Sequence, residues 1–220
     1  MLSSITIGLK AQEVEKTSQS DYSKGWAIGL RGSTIGPGVE IIKAFSPRFA
    51  VRAGWNALTY SDKLDIDDIT ATLDFDLEVG GPSLMVDFYP VKWMHLTTGV
   101  LFNNFSASGI LTPEKTYKFG QITISPEKVG TVALDVEPGT NVSPYIGLGF
   151  GRSISLKRRL AFNLELGAFY HGNPKASLEA TGMLAPSASE AQVNQLNENL
   201  KDYAFYPFVS FQLSYTFLKK

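Results

Sequence analysis

The chain contains no cysteine, and that one absence removes disulfides, thiol catalysis, cysteine-ligated metals and a lipid-modified cysteine anchor together. Histidine is scarce as well. His95 and His171 are the only two and stand at no metal-binding spacing, so neither a metal nor a cofactor is expected. A formal net charge of -1 supplies no basic footprint, which excludes nucleic acid as a partner. No run of about 18 apolar residues exists, so no transmembrane helix can be drawn. Any membrane span would have to be a closed barrel, because lipid satisfies no backbone polar group.

What is present is alternation. The 220 residues suffice for one domain, and 44% hydrophobic content with 19% charge fits neither a disordered chain nor a helical membrane protein. The segment Phe205 to Phe217 is the clearest: Val209, Phe211, Leu213, Tyr215 and Phe217 alternate with Ser210, Gln212, Ser214 and Thr216. Seven further segments share this two-faced pattern: Gly25 to Ser33, Val39 to Phe45, Phe49 to Tyr60, Ile69 to Tyr89, His95 to Phe105, Val142 to Arg152 and Leu160 to His171. In the fourth the apolar set changes phase after Gly80-Gly81-Pro82, which predicts a bulge.

Short connections near Pro47, Pro90 and Lys157 alternate with longer ones near Lys63, between Thr112 and Asn141, and between Gly172 and Lys201. Gly36-Pro37 is a tight turn on the long-loop side. That rhythm predicts an all-β, antiparallel up-and-down transmembrane barrel of about eight strands with both chain ends periplasmic. A soluble lipocalin-like barrel is the rival, with an apolar interior. The polar face argues against it, because it carries Gly29, Gly54, Gly99, Gly147, Gly149, Gly151 and Gly167, which suit a crowded lumen rather than a water-facing surface. Aromatics at strand ends, Phe45, Phe49, Phe88, Trp93, Tyr60, Phe105 and Tyr170, fall where two interfacial girdles belong.

The first residues, MLSSITIGLKAQ, resemble the tail of a secretory signal with Ala11 before a cleavage point, so residues 1–24 are expected to be a signal remnant and periplasmic lead-in. In the last long loop, Ser187 and Glu190 have capping-box spacing, and Val193, Leu196 and Leu200 recur at helical period, which predicts a short helix to about Asp202. Asp65, Asp67 and Asp68 form an acidic outer loop that lacks the glycine and closing glutamate of a calcium loop. His95 is expected at an interfacial or hydrogen-bonded position near an inner turn, and His171 on a solvated outer rim.

Turn lengths also predict a lumen charge cluster. With Gly36-Pro37 at the tip of the first hairpin, Arg31 comes opposite Glu40, and the turn at Ser46 to Arg48 brings Glu40 opposite Gly54 and diagonal to Arg52. Arg31, Glu40 and Arg52 then form a paired group inside the barrel, with Glu40 at its centre.

Residues 25–217 resemble the small Gram-negative outer-membrane β-barrel proteins, through Pro144 to Gly151, through Gly172-Asn173-Pro174 with Ala176 to Gly182, and through Tyr206-Pro207 leading to Ser214-Tyr215-Thr216-Phe217. The resemblance implies an outer-membrane location among lipid and lipopolysaccharide. It also implies a barrel-assembly signal at Leu213, Tyr215 and Phe217, read by the barrel-assembly machinery, with residues 218–220 overhanging it. It assigns no agreed activity. The expected role is non-enzymatic, envelope-structural or surface-interacting, with a side-chain-filled lumen. The alternatives are a lipid A-modifying enzyme built on His171, Glu165 and a loop serine, or a narrow barrel that binds or passes a small hydrophobic compound.

Overall fold

The structure, a computed structural model, describes residues 25–66, 71–114, 116–119, 122–155 and 158–219. The expected signal remnant, Asp67, Asp68, Lys157 and Lys220 lie outside them.

The strands are β1 (Gly25–Ser33), β2 (Gly36–Ala44), β3 (Phe49–Ile66), β4 (Ala71–Val91), β5 (Met94–Phe102), β6 (Ser106–Pro113), β7 (Tyr117–Phe119), β8 (Ile122–Ile124), β9 (Val132–Glu137), β10 (Val142–Gly151), β11 (Leu160–Tyr170), β12 (Lys175–Ala180) and β13 (Phe205–Lys219). Two helices, α1 (Pro126–Val129) and α2 (Glu190–Leu200), lie in the long connections. Among the described residues no helix is long and apolar enough to cross a membrane.

Antiparallel pairing closes β1, β2, β3, β4, β5, β10, β11 and β13 into a ring, with β13 bonded back to β1. All eight alternating segments of the sequence are in this ring. Side chains outside are apolar: Leu30 is 63% exposed, Ile146 73% and Phe162 57%. Exposed large hydrophobics on every wall of a closed ring form the belt that hydrocarbon requires, and they would be an aggregation liability in water. Aromatics flank the belt. Phe49 pairs with Phe88 and Trp93 with Phe150 at the inner end, where the short turns are, and Tyr170 pairs with Phe205 at the outer end. Phe105, expected in a girdle, instead packs inward against the core.

Beyond the ring, the outer halves of β3 and β4 continue as a sheet with β6, β9 and β12. The segments read as loops near Lys63, in 112–141 and in 172–201 are largely this extension. Its strands are short, and the alternation of each is too brief to stand out. The free edge of β12 is covered by α2: Asn197 Nδ2 donates to the carbonyl of Ala176 while its Oδ1 accepts from the Ala176 N–H. One amide side chain thus substitutes for a neighbouring strand, which protects the edge.

The structure corrects three local expectations. β3 and β4 pair without interruption through Gly80, Gly81 and Pro82, so no bulge lies there. Odd-numbered residues of β4 face inward from Leu77 to Tyr89. What inverts is the surroundings: Leu77 and Val79 turn their apolar side chains into the protein above that level, whereas Leu84, Val86 and Phe88 turn theirs outward below it. The glycines have their own cause, since both have positive φ (127° and 131°) and a Cβ on either would meet backbone of Asn56 or Phe102.

The first hairpin turns at Thr34-Ile35, not Gly36-Pro37, so Arg31 faces Gly38 and Glu40 faces Gly29. Gly36, the first residue after the turn, holds a positive φ (93°) that glycine alone adopts freely, so its glycine signal marks the end of the turn and not its tip. The shift is two residues, and an even shift keeps every side chain on its face. Ser189, not Ser187, precedes α2 and no side-chain cap forms; Ser187 Oγ donates to the Leu184 carbonyl in the preceding 3-10 turn instead. Past Phe217, Leu218 and Lys219 continue β13 and pair with Trp26 and Gly25.

Candidate functional site: a sealed lumen and an apolar mouth

Inward-facing residues stack in three levels. At the inner end Ala27, Ile42, Ala44, Ala50, Tyr89 and Ile154 form an apolar floor. Near the outer end Ile35, Met85, Leu101, Tyr145, Phe169 and Phe208 form an aromatic-rich ceiling, with Phe208 edge-on to both Tyr145 and Phe169. Between them lies a layer of charged and amide side chains, each almost wholly buried.

Arg52 is the hub of that layer. Its guanidinium meets Asp87 Oδ1 at 2.9 and 3.0 Å, Glu165 Oε2 at 2.5 Å and Glu40 Oε1 at 3.6 Å, and donates to Thr97 Oγ1 at 3.3 Å. Glu40 also pairs with Arg31, whose guanidinium carbon stands 5.7 Å from the Phe208 ring centre. The second carboxylate oxygen of Asp87 accepts from Ser153 Oγ at 2.7 Å and Tyr89 OH at 3.2 Å. Asn163 Nδ2 links Ser153 to Gln212. The layer therefore holds two guanidiniums against three carboxylates, which is how buried charge becomes tolerable.

The lumen glycines make this packing fit. A Cβ on Gly54 would lie 2.8 Å from Glu40 Cγ, one on Gly149 would run into the His95 ring, and one on Gly147 or Gly167 into the Tyr145 ring. These large side chains lie flat across the lumen because the wall beneath them is bare.

The structure thus brings Arg31, Glu40 and Arg52 into contact but moves the centre from Glu40 to Arg52, because Asp87 and Glu165 join from β4 and β11. Hairpin counting could not reach them, since it stops at the third strand. Inward parity was the available signal: Asp87 and Glu165 alternate with the outward Val86, Phe88, Leu164 and Leu166.

His95 is a further correction. It is fully buried in the lumen, its ring tilted against Tyr89 at 5.0 Å between centres, with Nε2 3.6 Å from Glu165 Oε2 and no hydrogen bond to either ring nitrogen among the described residues. Asp87, His95 and Glu165 offer donor atoms within 4.8 Å of one another, a grouping that residue spacing alone did not disclose. Both carboxylates already hold Arg52, whose positive charge opposes a cation there.

Above the ceiling lies a cavity of about 320 Å³, lined by Val79, Phe105, Phe169, Leu200, Tyr203 and Tyr206 among others, with Asn103, Ser143 and His171 as its polar side chains. His171 is therefore half-buried in an apolar wall, not on a solvated rim, because Phe105 stacks on it and its own backbone N–H donates to Ala204. Desolvation holds its pKa below the usual histidine value. Glu165 is bound to Arg52, and Nδ1 of His171 has no hydrogen-bond partner, so the His171–Glu165 pair of the enzyme alternative does not form.

Leu213, Tyr215 and Phe217 all face outward on the closing strand. Asp65 pairs with Thr72 at the outer end of the β3–β4 hairpin.

No family model and no curated protein matches the chain. Among solved structures, CarO of Acinetobacter baumannii aligns with a TM-score of 0.60 at 16% identity, over 88% of this chain and 98% of that one. CarO2 of the same organism aligns with a TM-score of 0.60 at 15% identity over the same shares. A major outer membrane protein of Thermus thermophilus aligns with a TM-score of 0.46 at 15% identity, again over 88% of this chain and 98% of that one. The chain has the antiparallel fold of outer-membrane β-barrels.

Proposed function

We propose that the protein is an integral barrel of a Gram-negative outer membrane that seals rather than conducts, with a non-enzymatic role in envelope integrity or surface interaction. The observation that carries this reading is the Arg52 network, which joins opposite walls of the lumen between two apolar layers. A barrel of eight strands has an interior just wide enough for its own side chains. Here they fill it with interlocked ion pairs, so a solute path would have to break several buried charge contacts at once. The outer sheet projecting past the belt supplies the surface for interaction.

The enzyme alternative lacks its acid, as Glu165 serves Arg52. Outer membranes from cells with and without the protein test the reading. The protein is expected in that fraction, as a form that changes gel mobility on boiling, with the lipid A mass profile unaltered by its presence. Recovery as a detergent-free soluble monomer, or a protein-dependent change in lipid A acylation, would contradict it.

A further inference from the structure

The cavity above the aromatic ceiling has the composition of a binding site, and nothing in the sealed-barrel role requires it. About 320 Å³ lies at the small end of the roughly 300–1,000 Å³ range of small-molecule pockets, and is about twice the ~150 Å³ apolar cavity that takes one benzene ring. Its size suits a molecule of one or two rings. Among the described residues no Asp, Glu, Lys or Arg side chain lines it, which disfavours ions and zwitterions.

The polar groups narrow the choice further. Asn103 is committed: its Oδ1 accepts from the Phe105 N–H, and its Nδ2 donates to Ser143 Oγ. His171 is not, for its buried Nδ1 has no hydrogen-bond partner among the described residues. A buried polar atom left unpaired keeps its full desolvation penalty, which a ligand group able to hydrogen-bond would offset. Leu200 and Tyr203, at the end of α2 and in the turn after it, contribute to the cavity wall.

We propose that this cavity binds a small uncharged alcohol or phenol, with the ring or branched body against Phe105, Phe169 and Tyr206 and its single hydroxyl bonded to His171. The aromatic ceiling and the charge layer beneath stop the ligand at the mouth, so it is held and not passed through.

The test uses the full-length protein in lipid nanodiscs, with 1-naphthol as probe, naphthalene as the probe lacking the hydroxyl, and empty nanodiscs subtracted in equilibrium dialysis. At matched free aqueous concentrations 1-naphthol is expected to bind about five- to tenfold more tightly than naphthalene, the effect of one hydrogen bond. In 15N-histidine-labelled protein, 1-naphthol should move the ring signals of His171 and leave those of His95 in place. His171→Phe should abolish the preference for 1-naphthol while retaining naphthalene, and Leu200→Trp should exclude both; the heat-dependent gel shift shows that each variant has folded. Absence of saturable 1-naphthol binding overturns the site. Unchanged binding in Leu200→Trp, or a naphthol preference that survives His171→Phe, overturns its placement.

Discussion

Arg52 Nη2 stands 2.5 Å from Glu165 Oε2, and this pair ties β3 to β11 across the middle of the barrel. Between these strands lie β4, β5 and β10 on one side and β2, β1 and β13 on the other, so the two residues come from opposite walls. Both are wholly buried, and Arg52 also engages Asp87 and Glu40. Arg52 neutralises more of the lumen than any other side chain described.

Arg52→Ala is accordingly expected to be the most damaging single change in the layer, at about 3–5 kcal/mol, because it leaves Asp87 and Glu165 buried without a cation. Glu40→Ala should cost less, since Arg52 retains two carboxylates and only Arg31 loses its partner. Urea unfolding in lipid vesicles, followed by tryptophan fluorescence, gives the order. Equal losses, or a larger one for Glu40→Ala, would return the centre to Glu40.

Gly149→Val should prevent the barrel from closing around His95, whereas Gly32→Ala should be harmless because nothing lies within 4 Å of the added Cβ. The fraction migrating as the compact unboiled form reads this directly. Similar yields for both variants would show that the lumen is looser than the close approach of the His95 ring to Gly149 implies.

The inversion along β4 marks where hydrocarbon ends. Val86 and Glu78 share the outward face of one strand, yet Val86→Arg should cost up to about 2–4 kcal/mol, the penalty for arginine near the bilayer midplane, and Glu78→Arg close to none. Vesicle unfolding of the two variants compares them. A comparable loss for both would move the apolar boundary outward past Gly80.

His171 makes the mouth acid-sensitive. Burial lowers its pKa, so the unfolded chain binds more protons than the folded one once the pH falls below the ordinary histidine value of about 6.5. Stability contributed at this site is therefore present above that pH and lost as the pH falls from it through the lower folded-state value. Among the described residues no charged side chain lines the cavity to offset the imidazolium. His171→Phe should flatten the acid side of the stability profile below the ordinary histidine value of about 6.5; an unchanged slope would place the dependence elsewhere.

Much of the ring was legible because each strand writes its facing into every second residue. Ser210, Gln212, Ser214 and Thr216 face inward in the closing strand as their alternation implied. The charge layer was legible only as far as short turns carried the count, to Arg31, Glu40 and Arg52. Past Asn103 and His171 the chain leaves the ring for the outer sheet, and no count survives such excursions, so Asp87 and Glu165 could be given a face but no neighbour. The β4 inversion was visible but misassigned. Alternation reports which face is apolar, and that face is outward in lipid and inward above it.

Conductance across a planar bilayer tests the sealed lumen most directly. The purified protein is predicted to insert without producing steady ion-conducting steps at moderate voltage, and Arg52→Ala, if it inserts, to produce steps by removing the cross-lumen pair. Reproducible conductance from the unaltered protein, unchanged by Arg52→Ala, would contradict the account, because ions would then have a path that the Arg52–Glu165 layer does not close.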